Sequence, residues 1–221
     1  MERRIAHHKF YIRRILFYER RKTYHELMNR VADPRGRLLE AALSIVGSEG
    51  LRALTHRRIE DEAGLARGSA RYHLGSNDQI IAATLEHAVL RDSRVNEAVL
   101  AKVGFEALAG STKSFPELIA ALVSAFLENP GALRARYELL LEATRRPSLE
   151  AEAQRWRAQF VSTSELALTA AGQANPHTAA VLLVACIDGL VFDTLITGRT
   201  NTPELAERAA AAILRASTVT T

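Results

Sequence analysis

Apolar residues recur through most of this chain at the spacing of an α-helix. Leu39, Ala42, Leu43 and Val46 repeat at i, i+3, i+4 and i+7, which predicts a helix from about Pro34 to Ser48. Asp33-Pro34 marks its start, since proline is tolerated just inside a helix, and Gly50 its end. A shorter pair follows. Thr55 is placed to cap a helix that carries Ile59 and Ala63, with Leu65 just beyond a turn at Gly64, where a residue tolerant of positive φ is needed. Ser69 opens a second short helix with Ala70 and Leu74 inward. Ser76 then caps a long helix to about Val103, with Ile81, Leu85, Ala88 and either Val89 or Leu90 on its apolar face. Further helices are predicted from Pro116 to Glu128, Ala132 to Arg146, Leu149 to Ala171, His177 to Thr197 and Thr202 to Ala216. Gly, Pro and Asn punctuate them at Gly110, Asn129-Pro130-Gly131, Pro147, Gly172 and Asn175-Pro176. Alternating β-branched runs are absent and aromatics are 6% of the chain, so the fold class expected is all-α.

Composition narrows what such a chain does. With 221 residues, 48% of them hydrophobic, there is material for one large or two small domains. The one cysteine, Cys186, excludes an internal disulfide and suits a reducing compartment. No secretory leader is visible. The longest apolar run, Ala179 to Ile187, is too short for a bilayer and is interrupted by Asp188, so a soluble cytoplasmic protein without a membrane partner is expected. The net charge of +4 is uneven: residues 1–36 hold ten basic against four acidic side chains, or +6, which leaves −2 for the rest. A basic end on a near-neutral body suits contact with a polyanion. Catalysis finds no support. There is no Gly-rich phosphate loop and no nucleophile motif around Cys186, and Glu60-Asp61-Glu62 and Asp188/Asp193 do not make a working carboxylate pair. His7-His8 lacks ligand spacing, so neither a metal nor a cofactor is expected.

The chemistry concentrates between Leu54 and Asn77. With the apolar residues of the two short helices turned inward, Arg67, Arg71, Tyr72 and His73 face out, beside Arg57 and Arg58 of the preceding helix. A compact helix pair with a basic, hydrogen-bonding outer face is what reading the DNA major groove requires. From Arg37 to Leu85 the sequence resembles the DNA-binding domain of the TetR family of bacterial transcriptional regulators. The resemblance rests on Glu49-Gly50 at the end of an apolar helix, a Thr-capped helix, Ala63-Gly64-Leu65, the segment Gly68 to Leu74, and Ser76-Asn77-Asp78. Three positions depart from the family pattern: Glu60 replaces the usual Ala, Arg71 an aromatic, and Asn77 a phosphate-contacting Lys.

The resemblance implies an N-terminal three-helix, helix-turn-helix domain over 34–80 and a C-terminal helical domain over 81–221 for effector binding and dimerisation. It implies double-stranded DNA, a small-molecule effector and a second copy of the chain as partners. The groove-facing residues expected are Arg67, Ser69, Arg71, Tyr72 and His73, with Thr55, Arg58 and Ser76 near phosphates and Arg57 and Asn77 also on the DNA-binding side. For the effector pocket, Phe126, Tyr137, Trp156, Phe160, Asp188 and Phe192 are candidates, with Phe115 a further aromatic wall. Arg134, Arg136, Glu138 and Glu142 read as surface pairs. The family's dimer is built from the last two helices. Here the first of these is apolar all round, which predicts burial on every side, and Leu183, Ile187, Leu190, Leu205, Ala209, Ala212 and Ile213 are the interface candidates. The rival reading is a DNA-associated protein with no small-molecule effector, regulated by another protein or architectural. Residues 1–33 fall outside the resemblance. They read as an added helix, as a basic arm touching phosphates, or as sequence upstream of a start at Met28.

Overall fold

A computed structural model describes residues 33–103 and 114–216. The proposed N-terminal extension, the loop from Gly104 to Gly110 and the tail from Ser217 lie outside the described residues. Within them the chain is helical with no strand: α1 (Pro34–Glu49), a 3-10 turn (Leu51–Ala53), α2 (His56–Ala63), α3 (Ser69–Leu74), α4 (Asn77–Val103), α5 (Ser114–Leu127), α6 (Pro130–Ala143), α7 (Pro147–Ala170), α8 (Pro176–Thr197) and α9 (Thr202–Ala216).

The helix ends follow local chemistry. The Asp33 carboxylate accepts from the Arg35 amide ahead of Pro34, and the Thr55 hydroxyl accepts from the Arg58 amide at 3.2 Å. A side-chain cap of this kind contributes about 0.5–2 kcal/mol. Gly64 ends α2 at φ 62°, as its position in the sequence predicts. Ser76 and Gln79 cap α4 reciprocally: the Ser76 amide donates to Gln79 Oε1 and the Gln79 amide reaches the Ser76 hydroxyl. At three prolines the boundary differs from the sequence reading. Pro130, Pro147 and Pro176 are the first residues of α6, α7 and α8, not the breaks before them. A proline has no N–H to lose at that position, where the amide would be unpaired anyway.

Two cores are stacked along α4. The first joins Leu38, Ala42 and Ile45 of α1, Ile59 of α2, Ala70 and Leu74 of α3 and Ile80 to Leu85 of α4. It also takes Ala135 and Leu139 of α6 and Leu149 of α7, so the helix-turn-helix end is seated on the larger body. The second core gathers the far end of α4, α5, the start of α6, and α7 to α9 around Phe115, Val123, Leu133, Leu168 and Leu183.

Helix α8 needs a correction. At 22 residues it is long and apolar enough to cross a membrane by length and composition, unlike the shorter run read from the sequence. Nor is it buried all round. Leu183, Val184 and Val191 face the core, whereas Val181, Leu182, Phe192 and Ile196 lie exposed. Asp188, midway along it, is ion-paired to Arg157 of α7 at 2.9 Å, which ties the helix to the domain.

Candidate DNA-reading surface and effector cavity

Helices α2 and α3 carry the outer face. Arg71 and Tyr72 project from α3, Tyr72 at 84% exposure, and among the described residues no hydrogen bond or ion pair engages either side chain. His73 is half-buried and sets its ring edge-on to Tyr72 at 4.8 Å. Ser69, the first residue of α3, is half-buried, and Ser76 and Asn77 are exposed where α4 begins. Two other arginines are engaged within the protein. Arg58 is forked between Glu49 and Glu62 at 2.5 and 2.9 Å. Arg67 pairs with Asp61 at 2.7 Å and donates to the Arg57 carbonyl at 3.1 Å, while the Arg57 side chain is exposed. Arg58 and Arg67 therefore brace the surface as held, and among the described residues Arg57 and Arg71 are its unengaged arginines.

Sequence reasoning noted Glu60 only as a departure. It is a buried carboxylate, 3% exposed, and its Oε1 accepts from the amides of Gly68 and Ala70 at 3.0 Å each. These are the amides at the start of α3, where no side chain of α3 itself provides a cap. Arg67 approaches the other oxygen at 3.8 Å. His56 adds a second brace, with Nε2 2.7 Å from the Gly75 carbonyl at the far end of α3. A Glu at an inward helical position beside Gly68 was the available signal.

In the larger body a cavity of about 220 Å³ opens between α4, α5, α7 and α8. Of the expected pocket residues, Phe126, Phe160 and Asp188 line it, as does Phe115. Trp156 and Tyr137 stand behind that wall: Trp156 stacks on Phe160 at 4.8 Å, and Tyr137 donates to the Asp188 carbonyl at 3.1 Å. Phe192 is a correction, since its ring turns to the outside and meets Tyr137 edge-on at 5.4 Å. Helix α5 supplies walls the aromatic search missed, among them Leu118, Leu122 and Val123.

The polar end of the cavity is built on α6. Arg136, read from the sequence as a surface pair, is 4% exposed and meets Asp92 at 3.3 Å. Asp92 also accepts from the Trp156 indole at 3.1 Å. Burial pushes the Asp92 carboxyl above the usual carboxylate range, with Arg136 pulling the other way. Burial likewise raises Asp188, against the pull of Arg136 and Arg157. Arg134 and Glu138 are not surface pairs either. Arg134 donates to the Gly47 carbonyl at 2.8 Å and Glu138 accepts from the Leu51 amide at 2.6 Å, both on the helix-turn-helix end. Only Glu142 fits the surface reading, paired with Arg145 and Arg146.

Of the expected interface residues, Leu183 lies inside the subunit's own core, where no second copy reaches it. Ile187 borders the cavity. Leu190, Leu205, Ala209 and Ile213 are half-buried and Ala212 is exposed.

The C-terminal half, residues 110–217, matches the family model described as the tetracyclin repressor-like C-terminal domain. The whole architecture is similar to solved structures. The multidrug binding protein EbrR complexed with imidazole is 29% identical, with 82% of this chain and 94% of that one covered and a TM-score of 0.62. A member of the TetR family from Streptomyces coelicolor A3 is 27% identical over 82% and 98% of the two chains, with a TM-score of 0.67. The chain is similar to the TetR family both in its fold and across that C-terminal match. EbrR complexed with ethidium gives the same picture, 28% identical over 82% and 98%, with a TM-score of 0.61. No curated protein matches the sequence. The TetR fold accounts for the order of the helices: a helix-turn-helix unit first, a long connecting helix, then a helical body with its own core.

Proposed function

We propose that this TetR-like protein is a sequence-specific transcriptional repressor. In this reading it sits on a pseudo-palindromic operator as a homodimer and is released when a small molecule fills the cavity. The observation that carries the reading is the outer face of α3, where Arg71 and Tyr72 present unused donors beside the braced Arg58 and Arg67. An arginine fork pairs with the O6 and N7 acceptors of guanine, and a good bidentate pair contributes about 1–3 kcal/mol of discrimination. Two copies place their α3 helices in successive major grooves, roughly 34–36 Å apart. A dimer seated on a promoter blocks polymerase without further contacts, which favours repression over activation. The cavity supports an effector, as does the likeness to EbrR, a multidrug binding protein crystallised with ethidium. A cytoplasmic site of action fits the lone, half-buried Cys186.

Selection of bound DNA followed by footprinting tests the reading. A short palindromic footprint supports it, whereas diffuse coverage supports the rival, an architectural or protein-regulated DNA-associated protein. Arg71→Ala is expected to weaken the selected site by about 1–3 kcal/mol and to leave random DNA nearly unchanged. Equal loss on both would assign Arg71 to the phosphates.

A further inference from the structure

The guanidinium of Arg136 is held by two hydrogen bonds and three aromatic rings. Its Nη1 donates to Asp92 and its Nη2 to the Tyr137 hydroxyl, each at 3.3 Å. Its plane lies over the rings of Phe126, Tyr137 and Trp156 at 5.0 to 5.4 Å. Asp92 is held in turn by the Trp156 indole, so the arginine cannot swing away without breaking two buried bonds. Yet Arg136 Nε is buried without a partner, and Arg136 borders the cavity. An unpaired buried N–H costs about 1–3 kcal/mol, which an acceptor arriving from the cavity recovers.

Charge decides what kind of acceptor. Asp92 and Asp188 already balance Arg136 and Arg157, and Glu97 on the same wall has a partner of its own. An added cation would face the Arg136 guanidinium, and an added anion would sit among carboxylates. Either would leave water with no free counter-charge, an expensive transfer. The remaining walls are mainly apolar or aromatic, with Leu118, Leu122, Phe160 and Val184 among them, beside the uncharged polar side chains of Ser93, Asn96, Gln159, Thr163 and Ser164.

We propose that the cavity takes an uncharged, largely aromatic molecule bearing one carbonyl-type acceptor, and that Arg136 Nε is the donor that reads it. This rests on the effector reading above and names the chemical class of that effector.

The test varies the ligand before the protein. Fluorenone carries the acceptor, fluorene has the same rings without it, fluorenone carboxylate adds an anion and ethidium is a cation. Each is titrated into the free full-length protein by calorimetry and by the fluorescence of Trp156, the sole tryptophan. Fluorenone is expected to bind at least about tenfold tighter than each of the other three, because a site with a buried donor rejects the ligand that leaves it unpaired. Fluorene within about twofold of fluorenone, either ion as the tightest ligand, or no binding by fluorenone at its solubility limit would overturn the proposal. Arg136→Gln combined with Asp92→Asn removes both charges together and leaves no lone buried ion. In that folded variant the fluorenone preference should fall to about one; a preference that persists would overturn the role of Nε. Because no DNA is present, failure here is distinct from failure of the repressor reading. The latter would show as bound fluorenone that leaves operator affinity unaltered.

Discussion

Glu60 is the residue on which the proposed DNA-reading surface depends although it does not belong to it. A six-residue helix such as α3 cannot hold itself in water, because nucleation costs more than so few hydrogen bonds return. Its first amides, at Gly68 and Ala70, are held by one buried carboxylate oxygen from α2. Hydrogen bonds to a charged acceptor contribute about 1.5–3 kcal/mol each, so this anchor outweighs an ordinary hydroxyl cap. Glu60→Ala is therefore expected to speed amide exchange at Gly68 and Ala70 and to weaken operator binding, with α1 and α4 still folded. Glu60→Gln keeps an acceptor oxygen and should recover part of both. Unchanged exchange in the alanine variant would show that α3 is held by its apolar side alone. Asp92 is a second such residue, 7% exposed against a buried arginine. Asp92→Asn strands that guanidinium and is expected to cost about 3–5 kcal/mol in urea unfolding at fixed protein concentration. A loss under about 1 kcal/mol would show that water already reaches the pair.

Helix α6 is the element that touches both ends of the molecule. Arg134 and Glu138, one turn apart, grip the Gly47 carbonyl and the Leu51 amide, while Arg136 and Tyr137 turn toward the cavity's polar end. The approach is close enough that a Cβ on Gly47 would collide with the Gly131 carbonyl. A shift of α6 on ligand binding would thus move the segment that leads into α2. Glu138→Ala is expected to raise amide exchange at Leu51 and to alter operator affinity with no DNA-facing residue touched. Raised exchange with unaltered affinity would show that this contact only holds the two ends together. None of this was legible in the sequence. Helical periodicity shows which face of α6 is apolar because burial repeats along one chain. Whether Arg136 meets solvent or Asp92 depends on a helix 44 residues away. The same limit explains Glu60, whose partners lie across a turn, and Phe192, which joined the pocket candidates on aromatic character alone. By contrast, the Thr55 cap, the Gly64 turn and the exposed Arg71 and Tyr72 are set by neighbours within a few positions, and those the sequence carries in full.

For the whole molecule the open question is what covers α8. Val181, Leu182, Ala185, Gly189, Phe192 and Ile196 form an exposed stripe at helical spacing, apolar from end to end. Scattered exposed leucines are ordinary, but a continuous stripe along a 22-residue helix marks a surface that is covered in use. The small residues at 185 and 189 would let a second helix approach closely. A membrane is the poorer candidate, because Asp188 and its partner Arg157 sit on the same helix-to-domain seam and would be carried in with it. A second copy fits the proposed twofold seating on DNA, and it places the contact on residues adjacent to those the sequence favoured. Leu182 and Ile196, at 58% and 69% exposure, make the cleaner test, since Phe192 also packs on Tyr137. Leu182→Glu with Ile196→Glu is expected to give a folded monomer in sedimentation, with α-helical content retained. That monomer should lose most of its operator affinity, because each half-site then binds alone and the gain from linking two contacts disappears. A dimer that survives both charges would move the interface off this stripe. A monomer that binds the operator as tightly as the parent would remove the need for a twofold partner, and with it the expectation of a palindrome.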